Sequence, residues 1–335
     1  MTPTTSMPTF SIVMPAYNSE ETIGPAIESV LRQTRADFEL IIVDDGSTDG
    51  TASRVQPYLR DKRIRLISQS NLGPAAARNM ALAHAGGAYV SLLDSDDLWL
   101  PRYLETMDAT LDANPTAAVA YTSNAWILDD ATGRIKRARR VKAVSPRHPV
   151  DSTPPQEFFR ALLERGNFVF VGVTIHSGVL DGVGNFREEL RGPEDYEMWL
   201  RVAARGYGFV RCRAKLAVYR EKPGQLSSDT RRMLRAAEHV YRIVAAEYDI
   251  QDDLRQLARQ RMQEQARLLS TLDSRQSRRV PRLLRRPYSV LSRMRNFYTR
   301  PPREIREAFP NLTRPDFELE TLHRRVDELT RTDRK

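Results

Sequence analysis

The first hundred residues alternate short apolar runs with stretches whose apolar residues recur at helical spacing. The stretch 19–33 has this helical spacing, with Ser19 as its predicted N-cap. The apolar runs predict strands at 9–15 and at the start of 38–51, 64–85 and 87–97. Because strands alternate with helices of about 10–15 residues, we expect βαβ units. The predicted class is α/β, with a mixed, mostly parallel sheet and helices on both faces.

The second half of the chain changes from mixed elements to helices. We predict further strands within 117–150, a helix in 152–167, a strand at 168–177, a helix at 192–206 and two short strands within 209–221. From about residue 228 onward the pattern is helical. The sequence therefore predicts an α/β domain at 1–225, followed by a mainly helical extension at 226–335.

Polar clusters follow several of the predicted strands. They are Tyr17-Asn18, Asp44-Asp45, Asn71-Leu72-Gly73 and Asp94-Ser95-Asp96. A single aspartate at a strand end is usually explained by turn chemistry or helix capping. In open α/β sheets, however, ligands bind at the carboxyl ends of the strands. Four clusters at one edge therefore predict a binding site there.

The stretch 94–97 places three carboxylates within four positions, directly after a buried-looking strand. Like charges this close repel one another, so a positive partner or water must face them. Asp94 and Asp96 are two residues apart and can share a hard divalent cation such as Mg²⁺ or Mn²⁺, which prefers oxygen ligands. The motif alone is a weak signal, because aspartate is common in turns.

Three other acidic or basic positions carry candidate chemistry. Asp44 and Asp45 could accept from a ribose hydroxyl or a base N–H, while Asp45 could instead cap a helix near Thr48. Gly73 opens a helix whose N-terminus and Arg78 together suit phosphate, although a surface ion pair would also explain Arg78.

Glu194-Asp195 opens another predicted helix. Acidic residues in a first turn are favoured by the helix dipole, which is the structural alternative to a catalytic role.

Four segments together resemble glycosyltransferase family 2. They are FSIVMPAYNSEETIGPAIESVLRQT, LIIVDDGSTDGT, NLGPAAARNMALAHAGGAYVSLLDSDD and EDYEMWLR. The resemblance covers about residues 10–220. It implies the GT-A fold, an inverting mechanism, a nucleotide-diphospho-sugar donor, and Mg²⁺ or Mn²⁺ as cofactor.

The resemblance also implies roles for particular residues. Donor-binding positions would be Pro15, Ala16, Tyr17, Asp44, Gly73, Arg78, Asp94, Ser95 and Asp96. Asp96 and Asp94 would hold the metal, and Asp195 would be the catalytic base. Glu194, Trp199 and Arg220 would serve the acceptor or a closing loop, although Trp199 also fits a core position.

Other functions are less consistent with the sequence. A nucleotidyltransferase would need a glycine- and lysine-rich loop, but MPAYNSEETIG contains no lysine. A dehydrogenase would carry G-x-G-x-x-G after the first strand, which is absent. A non-catalytic binding protein on the same scaffold would be signalled by loss of Asp96 or Asp195, and both are present. No Q-x-x-R-W motif occurs, which favours transfer of one sugar per encounter over processive synthesis.

Charge and composition bear on partners and location. Residues 1–220 are balanced, with 26 basic and 26 acidic residues, so the excess of +9 lies entirely in 221–335. The segment 274–303 holds ten arginines and no acid, interleaved with apolar residues at near-helical spacing, which is typical of a helix on an anionic membrane. Packing on the domain or a homo-oligomer contact is the alternative, and no nucleic acid is expected.

The single cysteine, Cys212, allows no intrachain disulfide, and the N-terminal residues lack a leader pattern. We therefore expect a cytoplasmic protein, peripheral on the inner face of the membrane. The resemblance to family 2 favours a UDP-sugar as the donor, and it leaves open the identity of the acceptor hydroxyl, for which a lipid-linked molecule or a carbohydrate is expected.

Overall fold

The computed structural model describes residues 8–122, 125–129, 134–137, 153–169, 172–190, 192–222, 229–273 and 297–298. The strands in these ranges are β1 (Phe10–Ala16), β2 (Phe38–Asp44), β3 (Ile64–Ser68), β4 (Tyr89–Leu92), β5 (Leu98–Trp99), β6 (Ala117–Thr122), β7 (Trp126–Asp129), β8 (Arg134–Arg137), β9 (Val173–His176), β10 (Gly208–Cys212), β11 (Ala217–Glu221) and β12 (Phe297–Tyr298). The helices are α1 (Ile23–Leu31), α2 (Thr51–Val55), α3 (Pro74–Leu82), α4 (Tyr103–Asp112), α5 (Pro155–Arg165), α6 (Ser177–Val183), α7 (Glu194–Ala204), α8 (Thr230–Glu247) and α9 (Asp252–Asp273). A 3₁₀ turn, Gln56–Arg60, follows α2.

The apolar runs assemble into a seven-stranded sheet of order β10-β6-β9-β4-β1-β2-β3. The pairs β4-β1, β1-β2, β2-β3 and β10-β6 are parallel, whereas β9 runs antiparallel to both of its neighbours. The predicted mixed, mostly parallel α/β sheet is therefore confirmed.

Both faces of the sheet are covered, and β1 shows this most clearly. Val13 belongs to one hydrophobic core, which includes side chains of α5, α7 and α8. Ile12 and Met14 belong to a second core on the other face, with side chains of α1 and α4. Because successive side chains of a strand point to opposite faces, a strand buried on both sides must be apolar throughout.

A second sheet of order β12-β8-β7-β11-β5 lies beside the end of β4. Its strand β5 begins directly after the acidic stretch 94–97, and β11 pairs antiparallel with β5. This pairing brings the end of β11 against the acidic stretch.

Helices α8 and α9 share a hydrophobic core with helix α7. Side chains of α8 and α9 lie in the same hydrophobic cluster as Trp199 and Leu200 of α7. Residues 223–228, which contain the predicted boundary between 1–225 and 226–335, lie outside the described residues, so this division stays a prediction.

Three local expectations differ from the structure. The helix predicted over 19–33 begins only at Ile23, and its N-cap is Thr22 rather than Ser19. The strand predicted at 168–177 begins only at Val173. Phe168 and Val169 are apolar because they are buried in the core, and they do not belong to a strand.

The third difference concerns the basic segment 274–303. Phe297 and Tyr298 pair as strand β12 with β8, so the predicted helix is wrong at these two positions. The rest of the segment lies outside the described residues. Among the helices that the structure describes, none is long and apolar enough to cross a bilayer.

Candidate active site

The carboxyl ends of β2, β1 and β4 lie side by side, as the sequence predicted. Ala16 at the end of β1 is in register with Asp44 at the end of β2. Asp44 is buried, and its carboxylate accepts the backbone N–H of Ser47 at 3.1 Å. Tyr17, just beyond Ala16, is 48% exposed. This edge therefore combines a carboxylate with an uncovered aromatic ring, next to Pro15 in β1.

Asp45 anchors a neighbouring loop and does not cap a helix near Thr48. Its carboxylate accepts the backbone N–H groups of Leu72 at 2.9 Å and Gly73 at 2.8 Å, and the amide of Gln69 at 2.7 Å. Gly73 has a φ of 100°, which favours glycine. The loop before α3 is thus fixed to the end of β2, and the helix N-terminus opens at the predicted donor edge.

Arg78 on α3 joins two acidic clusters that lie far apart in the sequence. Its guanidinium donates to Asp94 at 2.7 Å and to Glu194 at the start of α7. Burial alone lowers the pKa of Arg78, but the carboxylates of Asp94, Glu194 and Asp195 outweigh it, and the net pKa is raised. Arg78 therefore stays charged and acts as a bridge. Its predicted contact with a diphosphate stays a prediction.

Asp195 occupies the first turn of α7, and hydrogen bonds reach both of its oxygens. Oδ1 accepts the backbone N–H of Tyr196 at 2.6 Å, and Oδ2 accepts the side-chain amide of Asn167 at 2.8 Å. Burial raises the pKa of Asp195 to about 7, and the charge of Glu194 adds to this rise, while Arg78 opposes it. A carboxylate with this pKa is half ionised near neutral pH, which suits a general base.

The acidic stretch 94–97 divides into exposed and buried members. The Asp94 side chain is 51% exposed, and Asp96 lies 3.6 Å from the Lys222 ammonium group. Asp97 is buried and accepts the backbone N–H of Arg220 at 3.1 Å. Burial, with the charges of Asp96 and Asp94 adding to it, raises the pKa of Asp97 well above its usual value. Asp97 thus serves as a structural link to β11.

Two further predicted residues support this stretch. The hydroxyl of Ser95 is 2.8 Å from that of Ser19, which ties the acidic stretch to the segment after β1. The Arg220 side chain donates from Nε to the backbone carbonyl of Asp96 at 3.1 Å. Both residues therefore fix the backbone that presents Asp94 and Asp96.

A cavity of about 30 Å³ lies beside the bridge, enough room for one or two water molecules. Its walls are Arg78, Leu92, Leu93, Asp94, Asp97, Trp99, Gly172, Asp195 and Trp199. The indole N–H groups of Trp99 and Trp199 are buried, and neither has a hydrogen-bond partner within the described part of the chain. Trp199 thus lies in the core and also borders the cavity, so its role toward an acceptor stays a prediction.

The sequence analysis missed two residues of this site. Asn167, which bonds to the candidate base, lies 28 positions before it and follows the end of α5. The one sequence feature that indicates this residue is the pair Gly166-Asn167, which follows a helical pattern. The sequence does not separate Asp97 from Asp94 and Asp96, because all three lie in one acidic stretch.

Comparison with known proteins identifies the family. The sequence profile of glycosyl transferase family 2 matches residues 11–171. The Escherichia coli protein WfgD, named a UDP-Glc:alpha-D-GlcNAc-diphosphoundecaprenol beta-1,3-glucosyltransferase, is 47% identical over 96 residues, 28% of this chain and 38% of WfgD. WfaP of the same species, named as the same type of glucosyltransferase, is 31% identical over 225 residues, 65% of this chain and 80% of WfaP.

A solved structure supports the fold. The crystal structure of Staphylococcus aureus TarS residues 1–349 with UDP-GlcNAc aligns with a TM-score of 0.58 and 21% identity, over 76% of this chain and 71% of that one. At this identity the likeness concerns the fold alone. With the profile match and the match over most of WfaP, it places the chain among the glycosyltransferases of family 2, with the GT-A fold.

Proposed function

We propose that the protein transfers one sugar from a nucleotide-diphospho-sugar to a hydroxyl group of an acceptor, with inversion at the anomeric carbon. The observation that carries this proposal is Asp195, whose pKa is raised to about 7 at the border of the cavity. An acceptor hydroxyl is a poor nucleophile at neutral pH. Asp195 would remove its proton as the new C–O bond forms, and the nucleoside diphosphate would leave from the opposite side of the sugar.

The donor would lie along the carboxyl edge of the sheet. Tyr17 offers an exposed ring to the base, and Asp44 offers a buried carboxylate for the base or the ribose. The N-terminus of α3 behind Gly73 favours the diphosphate, because the first N–H groups of a helix have no partner within the helix and carry its positive dipole end.

Mg²⁺ or Mn²⁺ fits the residues of the acidic stretch. Burial, with the charges of Asp96 and Asp94 adding to it, raises the pKa of Asp97, so a cation beside these carboxylates would relieve their mutual repulsion. Asp94 and Asp96 would hold the ion. The described residues contain no group of three or more potential ligands, so donor oxygens and water would complete its shell. Such an ion would stabilise the charge on the leaving diphosphate.

A UDP-sugar is the favoured donor and a lipid-linked carbohydrate the favoured acceptor. The names of WfgD and WfaP specify UDP-Glc and a diphosphoundecaprenol-linked GlcNAc. The whole chain would then act in bacterial polysaccharide, glycolipid or glycoprotein synthesis. A cytoplasmic location on the inner face of the membrane would suit such an acceptor, with 274–303 at the anionic surface.

The test is donor binding and transfer across a panel of UDP- and GDP-sugars. The panel is run with Mn²⁺, with Mg²⁺ and with chelator, on the wild type and on Asp96→Ala and Asp195→Asn. We expect one donor to bind in a metal-dependent way, Asp96→Ala to weaken that binding, and Asp195→Asn to bind the donor but not transfer the sugar. If no nucleotide sugar binds with either metal, the proposal is wrong.

A further inference from the structure

Asn167 comes two residues after the end of helix α5, and the residue between them adopts a backbone conformation that favours glycine. Helix α5 ends at Arg165, and Gly166 then takes a φ of 77°. A side chain at Gly166 would meet no atom within 4 Å, so glycine is needed there for its backbone angle and not for space. Asn167 directly follows this glycine, and its side chain reaches the first turn of α7.

The Asn167 side chain has only one chemically consistent orientation. Its Oδ1 accepts the backbone N–H of Val169 at 3.0 Å, which closes a local turn. An N–H group can donate only to an acceptor, so the oxygen must face Val169. The Nδ2 group must therefore face Asp195, where it donates to Oδ2 at 2.8 Å.

This donor completes a two-point anchor on the candidate base. The backbone N–H of Tyr196 holds Oδ1 of Asp195, and Asn167 holds Oδ2. The two bonds fix the plane of the carboxylate, and each oxygen keeps a lone pair for another partner. A single anchor from the residue's own helix would leave the carboxylate free to rotate about its terminal bond.

We propose that Asn167 is a positioning residue, whose amide fixes the orientation of the Asp195 carboxylate and stabilises its ionised form toward the acceptor hydroxyl. This inference rests on the proposed role of Asp195 as the base. Three charged groups also act on Asp195: Glu194 on its own helix, Arg78 on α3 and Asp94 after β4.

The guanidinium of Arg78 is bound to the carboxylates of Asp94 and Glu194. A side-chain hydrogen bond to Asp195 itself comes from Asn167.

Two substitutions separate this role from a purely structural one. Asn167→Asp keeps an oxygen for Val169 but replaces the donor to Asp195 with an acceptor. Asn167→Ala removes both contacts. Asn114→Asp, which adds the same negative charge at the distant end of α4, is the matched control. Thermal unfolding of all variants checks that they are folded.

The readouts are the pH profile of kcat, the KM for the donor and the pKa of Asp195. That pKa is measured by NMR of labelled aspartate carboxyl carbons, with Asp195→Asn for assignment. For Asn167→Asp we expect kcat to fall at least tenfold, the donor KM to stay within about twofold, and the acidic limb to move up by about one pH unit or more. Asn167→Ala should shift in the same direction, and Asn114→Asp should match the wild type.

The outcomes distinguish the two proposals. If Asn167→Asp matches the wild type in kcat and in the pKa of Asp195, Asn167 serves only its own turn and the inference is wrong. If the wild type transfers no sugar, the proposed function fails, while the NMR titration still decides whether Asn167 stabilises the ionised carboxylate.

Discussion

Asp195 should make the folded protein less stable as the pH rises toward neutrality, and Asp195→Asn should remove this effect. An ordinary aspartate in the unfolded chain loses its proton near pH 4. In the folded protein, burial raises the pKa of Asp195 to about 7. Between these values the folded state binds more protons than the unfolded state. The stability gained from the protonated group is therefore fully present below about pH 4 and is lost as the pH rises to 7.

The magnitude follows from the shift of about three pKa units. At 1.36 kcal/mol per unit, this corresponds to about 4 kcal/mol for a fully buried group. The Asp195 side chain is partly exposed to solvent, so solvent screening reduces this free energy. We expect the free energy of unfolding of the wild type to fall by about 2 kcal/mol between pH 4.5 and pH 8, relative to Asp195→Asn.

The assay is urea unfolding followed by tryptophan fluorescence at several pH values. The two proteins are compared by the pH dependence of their stability and not by its absolute value. An asparagine at position 195 has one oxygen and cannot accept from both Tyr196 and Asn167, so the variant is less stable by about 1 kcal/mol at every pH. Asp181→Asn on the exposed side of α6 is the control and should leave the pH dependence of the wild type unchanged. Parallel curves for wild type and Asp195→Asn would refute the argument.

Three other residues give stability or binding predictions. Arg78→Met should lower the free energy of unfolding by about 3 kcal/mol, because the buried Glu194 carboxylate loses its charged partner and keeps only the backbone N–H of Gly192. Adding Glu194→Gln should recover part of this loss in a double-mutant cycle. Asp45→Asn should raise the donor KM about tenfold with kcat little changed, since one amide oxygen cannot hold the three donors that fix the loop before Gly73; an unchanged KM would contradict this. Asp97→Asn should stay within about 1 kcal/mol of the wild type in urea unfolding at neutral pH, because its amide oxygen still accepts the N–H of Arg220 and burial disfavours a charge at this position, whereas Asp97→Ala should be clearly less stable.

The sequence predicted the edge of the site because its geometry follows from local rules. Parallel strands that leave one sheet in the same direction bring their following residues together. Asp44 and Asp94 could thus be assigned to one edge from the strand pattern alone. The register of Ala16 with Asp44 and of Val13 with Leu92 confirms that assignment.

Contacts between distant segments could not be predicted in this way. Arg78 and Glu194 are 116 positions apart, and no periodicity connects α3 to α7. Ser19 was expected to cap α1, but its hydroxyl pairs with Ser95, 76 positions later. In each case the sequence suggests a local role for a polar side chain, but in the folded protein that side chain is bound to a residue far away in the sequence. Local propensity is a weak guide where burial demands that a polar group be satisfied.

The position of α7 depends on contacts with a part of the chain beyond the profile match, which ends at residue 171. Glu197, two residues after Asp195 in the first turn of α7, is fully buried and accepts from Arg187, Arg201 and the Tyr248 hydroxyl at 2.7 Å. Tyr248 directly follows α8, so this network attaches α7 to the end of α8. A buried carboxylate held by three donors permits little sliding of one helix on the other. The first turn of α7 therefore carries both the proposed base, Asp195, and the buried carboxylate that attaches this helix to the end of α8.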